Sequence, residues 1–119
     1  MADIYTQAGE ELIVDVIDGT VAPPTYHVGW GTGAGTAAKG DTTLFTESAE
    51  TRIVTAQTQP AVDKNQFKGT ITASAARTIT NAGILSLITG GSLLLKSDFT
   101  GVVLANGDKI EFTFTLEQT

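Results

Sequence analysis

From Gln66 to Ala75 the chain alternates, with Phe67, Gly69, Ile71, Ala73 and Ala75 on one side and Gln66, Lys68, Thr70, Thr72 and Ser74 on the other. A period of two predicts a strand with one buried and one wetted face. The run from Lys109 to Glu117 repeats the pattern more cleanly, setting Ile110, Phe112, Phe114 and Leu116 against Lys109, Glu111, Thr113, Thr115 and Glu117. Shorter apolar or β-branched runs predict further strands at Glu11 to Ile17, Thr25 to Gly31, Arg52 to Gln57, Arg77 to Thr80 and Ser92 to Phe99. Asp18-Gly19, Pro23-Pro24, Gly90-Gly91 and Asn106-Gly107-Asp108 separate them as turn signals. Asn106-Gly107 predicts a hairpin between Phe99–Leu104 and Lys109–Glu117. Between Thr80 and Thr89, Ala82, Leu85 and Ile88 recur at helical spacing, but the β-rich surroundings favour a short buried strand.

Residues 1–10 carry no periodicity and are expected to form an extended, loose N-terminal arm. Residues 11–119 are then expected to form one antiparallel β-sandwich or jelly-roll, an all-β, single-domain fold. A chain of 119 residues has room for one ordinary core. Threonine is its commonest residue, which suits strands.

Charge and composition narrow the classes of function. The formal net charge is −6, and the seven Lys and Arg residues are scattered singly. A protein that tracks phosphates needs clustered cations, so neither nucleic acid nor an anionic membrane is an expected partner. With no cysteine in the chain, a disulfide, a thiolate metal site and a cysteine nucleophile are excluded. The first residues lack the charged and apolar regions of a secretory signal, and the stretch from Ala82 to Leu95 is broken by serine, threonine and glycine. A soluble, acidic protein made in the cytosol is expected.

The candidate chemistry thins out on inspection. Gly33-Ala34-Gly35-Thr36-Ala37-Ala38 fits a relaxed dinucleotide-binding pattern, but Lys39-Gly40-Asp41 starts no helix to receive a pyrophosphate. Lys39 is followed by Gly40 rather than serine or threonine, which removes a P-loop. The single histidine, His27, alternates with Tyr26, Val28 and Trp30 and is expected to face solvent, with no acid nearby to orient it as a base. The carboxylate pairs Glu10-Glu11, Asp15/Asp18 and Glu47/Glu50 lack the spacing of a calcium loop. Tyr26 and Trp30 share a strand face and could form a sugar platform, but core packing is the stronger expectation. The chain is therefore expected not to be an enzyme, with no catalytic residues, cofactor or metal.

Two longer patterns carry a resemblance. The first runs His27-Val28-Gly29-Trp30-Gly31-Thr32-Gly33, then Ala37-Ala38-Lys39-Gly40-Asp41-Thr42-Thr43-Leu44-Phe45-Thr46-Glu47, then Thr51-Arg52-Ile53-Val54. The second runs Arg77-Thr78-Ile79-Thr80-Asn81-Ala82-Gly83-Ile84-Leu85, Gly90-Gly91-Ser92-Leu93-Leu94-Leu95-Lys96 and Leu104-Ala105-Asn106-Gly107-Asp108-Lys109-Ile110. Together they resemble small virion structural proteins of tailed bacteriophages, over roughly Tyr26 to Glu117. Asn81 stands where an acid is usual, and Leu85 where an aromatic is common.

The resemblance implies an all-β, non-enzymatic virion component acting as an oligomer. Capsid decoration (cement) proteins and tail or fibre components both occur in this group. The lack of a coiled-coil or repetitive shaft favours capsid decoration over a fibre. The expected partners are the major capsid protein and copies of the chain itself, most simply as a trimer on a capsid three-fold. The expected location is the capsid surface, after synthesis in host cytoplasm. The candidate interface comprises Ile4 and Tyr5 of the arm together with Gly33, Ala34, Gly35 and Thr36 of the glycine-rich loop, read as a mobile connection free to settle on a neighbouring subunit.

Overall fold

A computed structural model describes residues 3–117. It contains eight strands and one helix: β1 (Ile4–Tyr5), α1 (Gln7–Asp18), β2 (His27–Gly31), β3 (Ile53–Val54), β4 (Ala56–Ala61), β5 (Lys64–Thr72), β6 (Arg77–Leu85), β7 (Leu93–Leu104) and β8 (Lys109–Glu117). They form a five-stranded sheet in the order β1-β7-β6-β2-β3 and a three-stranded sheet in the order β4-β5-β8. Every pairing is antiparallel, as the alternation predicts. Apolar side chains from both sheets meet in one core that includes Val28, Trp30, Phe67, Ile71, Ile84, Leu95, Phe112 and Phe114.

The segment predicted as a strand from Glu11 to Ile17 is instead part of α1. Thr6 caps the helix, its Oγ1 accepting from the Gly9 N–H at 2.9 Å. Gly9, Leu12, Ile13 and Val16 then fall on one helical stripe that packs against the core. Burial of that stripe outweighs the strand preference of Ile13, Val14, Val16 and Ile17. The helix stops at Gly19, whose N–H returns to the Val16 carbonyl.

The described part of the expected loose arm is held in place. Ile4 and Tyr5 pair with Lys96 and Leu95 as an edge strand. Thr6 then answers a bulge at Leu94, where β6 and β7 lose register between Ile84 and Leu85. Its hydroxyl donates to the Leu93 carbonyl at 2.5 Å, and its N–H donates to the Leu94 carbonyl at 3.2 Å. Met1 and Ala2 lie outside the described residues.

Helix and bulge press together at Gly9, where a Cβ would lie 2.7 Å from the Leu94 carbonyl oxygen and 2.9 Å from its Cα. Both are backbone atoms with little room to yield. Gly9→Ala gains about 1 kcal/mol of helix propensity but forces the helix off the sheet, which costs about 1–3 kcal/mol. A net loss of about 1–2 kcal/mol is expected in urea unfolding, and a gain in stability would show that the contact is looser than drawn.

Two further expectations are corrected by the division between the sheets. The strand expected from Arg52 to Gln57 is split into β3 and β4, which lie in different sheets. Thr55 turns the chain between them, donating through both its N–H and its hydroxyl to the Tyr26 carbonyl at 3.0 Å. The hairpin expected across Asn106-Gly107 is not a ladder either, because β7 pairs with β6 and β8 with β5. The turn is a corner between the sheets, pinned to Ala73 by Gly107 N–H→Ala73 O and Ala73 N–H→Asp108 O, both 2.8 Å. Ser92 to Leu104 therefore gives one long strand rather than two, beginning at Leu93. The strand favoured for Thr80 to Thr89 exists as far as Leu85, as the second half of β6.

Candidate functional site

The glycine-rich run and the segment after it form one structure, a loop over residues 32–52 laid across the outer face of the five-stranded sheet. Its first contact is at β2, where every residue is buried. Tyr26, Val28 and Trp30 enter the core between the sheets, whereas Gly29 and Gly31 point the other way, beneath the loop. A Cβ on Gly31 would run into the Phe45 carbonyl, so glycine here permits close approach of two backbones. The loop folds back on itself through Thr32 N–H→Thr46 O and Gly33 N–H→Phe45 O, each 3.0 Å.

Polar side chains then lock it down. Asn81, in β6, accepts from the Phe45 N–H at 3.0 Å and donates to the Phe45 carbonyl at 3.1 Å. Thr80 donates to the Gly33 carbonyl. Leu44 drops between Leu85 and Leu93 to make a second, smaller core. Lys96, fully buried, reaches outward from β7 to Asp41 at 3.0 Å and the Thr43 carbonyl at 2.7 Å. Its ammonium also lies 3.2 Å from the centroid of the Phe45 ring. Burial works to raise the Asp41 pKa, but the Ala38 N–H and Lys96 outweigh it, and the carboxyl is held below its usual value.

At the far end of the loop, Arg52 and Glu47 form a two-pronged pair with both contacts at 2.7 Å. The same guanidinium donates to the Leu87 and Gly90 carbonyls at 2.9 and 2.8 Å, holding the β6–β7 loop. Glu50 is a hub. It accepts from the Trp30 indole at 3.1 Å, from Ser48, from the Ser74 N–H and hydroxyl at 3.0 Å, and from Arg77 Nε at 3.1 Å.

These contacts correct the expectation of a mobile connection: the loop is a clamped cover. Lys96→Met tests the clamp. An apolar chain of similar length refills the site, and Asp41, partly exposed, can rehydrate. The expected loss in global stability is therefore only about 1–2 kcal/mol. Amide exchange over residues 34–46 should rise far more than that over β5 and β8. Uniform exchange across the chain would show that Lys96 supports the whole fold instead.

The candidate interface residues lie on the edge strand and on the covering loop. Ile4 and Tyr5 are half-buried on the edge strand, Gly33 is half-buried, and Ala34, Gly35 and Thr36 are exposed. Lys39, further along the same loop, reaches the edge strand, with its Nζ 3.4 Å from the Tyr5 carbonyl and 5.8 Å from the Tyr5 ring centroid. Its carbonyl also accepts from the Gln7 N–H at 2.8 Å, tying the loop to the start of α1.

His27 does not face solvent as expected. It is buried between its strand neighbours Val54 and Leu85, and its Nδ1 has no hydrogen-bond partner among the described residues. Trp30 and Tyr26 are buried at 1% and 8% exposure, so neither ring offers a face to a sugar. The Tyr26 hydroxyl is pushed to a higher pKa by burial first and by Tyr5 second. Among the described residues, no three His, Cys, Asp or Glu side chains come together to hold a metal ion, and no helix is long and apolar enough to cross a membrane. No protein-family model and no curated protein matches the chain.

Proposed function

We propose that this chain is a non-enzymatic structural protein of a tailed-bacteriophage virion, a capsid decoration protein that binds the shell as an oligomer and stabilises it. One observation carries the reading beyond the resemblance. Six residues within the two quoted patterns (Gly31, Asp41, Leu44, Glu47, Arg52 and Lys96) are engaged in holding the loop to the sheet, and Asn81, a departure from the pattern, is engaged with them. A clamped surface of this kind suits a docking role, since rigidity limits the ordering cost when a protein docks. The acidic balance of the chain favours protein over packaged nucleic acid as its neighbour. Ile4 and Tyr5 on the edge strand and residues 33–36 of the cover are the proposed contact residues.

Purified protein added to undecorated capsids of the phage that encodes it should bind in fixed stoichiometry and raise the temperature at which they break. Binding to isolated tails with none to capsids would replace this reading with that of a tail component.

A further inference from the structure

β8 ends the three-stranded sheet, and its outer side faces no strand. Two hydrogen bonds show which backbone groups lie on that side. The Asp108 carbonyl accepts from the Ala73 N–H on the β5 side, whereas the Thr115 N–H donates outward to Asp3 at 3.3 Å. In a strand the N–H and C=O of one residue share a side, and the sides alternate along the chain. Ile110, Phe112, Phe114 and Leu116 therefore bond to β5, and Lys109, Glu111 and Thr113 turn their backbone groups outward. Those outward groups have no hydrogen-bond partner among the described residues.

The other described edges are blunted, as sheet edges must be to avoid stray pairing. β1 and β3 are two residues long. β4 contains Pro60, which lacks an N–H, and slips register between Thr58 and Ala61. The stretch of β7 beyond Lys96, bordered by β6 alone, slips where it passes Ile79 and Asn81. β8 instead pairs with β5 in unbroken register from Lys109 to Glu117 and holds no proline. Only its far end is shut, by Asp3, which accepts from Ser97 Oγ at 2.9 Å as well as from the Thr115 N–H.

A free backbone edge fits another strand, and the charges along this one select a second copy of itself. When two β8 strands pair antiparallel about a two-fold axis, their outward groups meet only if Lys109, Glu111 and Thr113 stand opposite residues of the same set. Registers that draw Thr115 into the ladder must displace Asp3. An axis through Glu111 or through Lys109 sets like charges face to face, which is unfavourable. An axis through Ile110 places Lys109 opposite Glu111 of the other copy, twice by symmetry. Both side chains are exposed, and neither forms a salt bridge among the described residues. We propose that two copies of this chain associate edge to edge through β8, antiparallel about Ile110, joining their three-stranded sheets into one. The inference rests on the decoration reading only for its expectation of an oligomer, and it names a pair where the sequence suggested a trimer.

Sedimentation of the unaltered protein at neutral pH and low ionic strength should show a dimer. Lys109→Glu and Glu111→Lys should each raise its dissociation constant by about tenfold. The two changes together should restore it, because the pairs re-form with their signs exchanged. Circular dichroism should show all three variants folded, since both positions are exposed. The chain has no cysteine of its own, so Ile110→Cys should cross-link to itself on oxidation, whereas Thr113→Cys, far from the axis, should not. A monomer at about 1 mM, a trimer, reversals without effect, a double variant as weak as the single ones, or Ile110→Cys that stays uncross-linked would each overturn the proposal. Capsid binding separates the two readings: a monomer that still decorates capsids defeats the β8 pairing alone, whereas a dimer that ignores capsids defeats the decoration reading alone.

Discussion

Trp30→Ala is expected to remove most of the stability of the domain. The ring is 1% exposed between the sheets and meets Phe112 edge-to-face, with centroids 6.2 Å apart and an interplanar angle of 83°. Truncating a buried tryptophan costs about 3–5 kcal/mol, against the 5–15 kcal/mol typical of a whole domain. Trp30→Phe separates the two roles of the side chain. It keeps much of the apolar volume but leaves Glu50 without its indole donor, so a smaller loss is expected, with roughly 1 kcal/mol of it from the hydrogen bond. Because Trp30 is the only tryptophan, unfolding should be followed by circular dichroism rather than by fluorescence. A Trp30→Ala protein within about 1 kcal/mol of the parent would mean that the ring is not part of the core. Such a protein would also reopen a binding role for that strand.

The strands that could be read from the sequence are those whose two faces meet different surroundings. In β5 and β8 one face enters the core and the other meets solvent, so Phe67, Ile71, Phe112 and Phe114 alternate with exposed threonine, lysine and glutamate. The all-β, two-sheet character of the chain follows from such runs. The five-stranded sheet was harder to read because its outer face is covered as well. Alternation in β2 is between large residues and glycine, and in the second half of β6 every position is buried. Glycine suggested a flexible loop, whereas at Gly31 it admits the loop backbone against the sheet. His27 is likewise buried, at a position where local alternation points to water.

Helix α1 was missed because its β-branched residues favour a strand by local preference. The Thr6 cap and the stripe Gly9, Leu12, Ile13 and Val16 were nonetheless available as a signal. The clamps were hidden more deeply. Lys96 pairs with Asp41 and Glu50 with Arg77 across long separations in sequence, and only the topology brings them together. The job of each of these residues became visible only in three dimensions.

Glu50→Ala is the second substitution expected to be severe, and its effect should change with pH. The side chain is 4% exposed and accepts from Trp30, Ser48, Ser74 and Arg77. Removing it orphans a buried indole N–H and a partly buried guanidinium, and a loss of about 3–4 kcal/mol at neutral pH is expected. Desolvation alone would raise its pKa. The donors from Ser48, Ser74 and Trp30 overcome that and hold the carboxyl far below its usual 4.5. A carboxyl depressed in the folded state binds its proton more readily when unfolded. Its contribution is therefore complete above the ordinary carboxylate range and drains away as pH falls below it, through the folded value. Asp41 acts in the same direction beside Lys96. The urea midpoint of the unaltered protein should hold steady from neutral pH down to about pH 5 and then fall steeply. In Glu50→Gln the neutral-pH midpoint should already be lowered and the fall below pH 5 visibly shallower, since the most strongly depressed carboxyl is gone. Parallel curves for the two proteins would show that acid unfolds the domain through other groups, and that Glu50 is a spacer between the sheet and its cover instead of the charge that binds them.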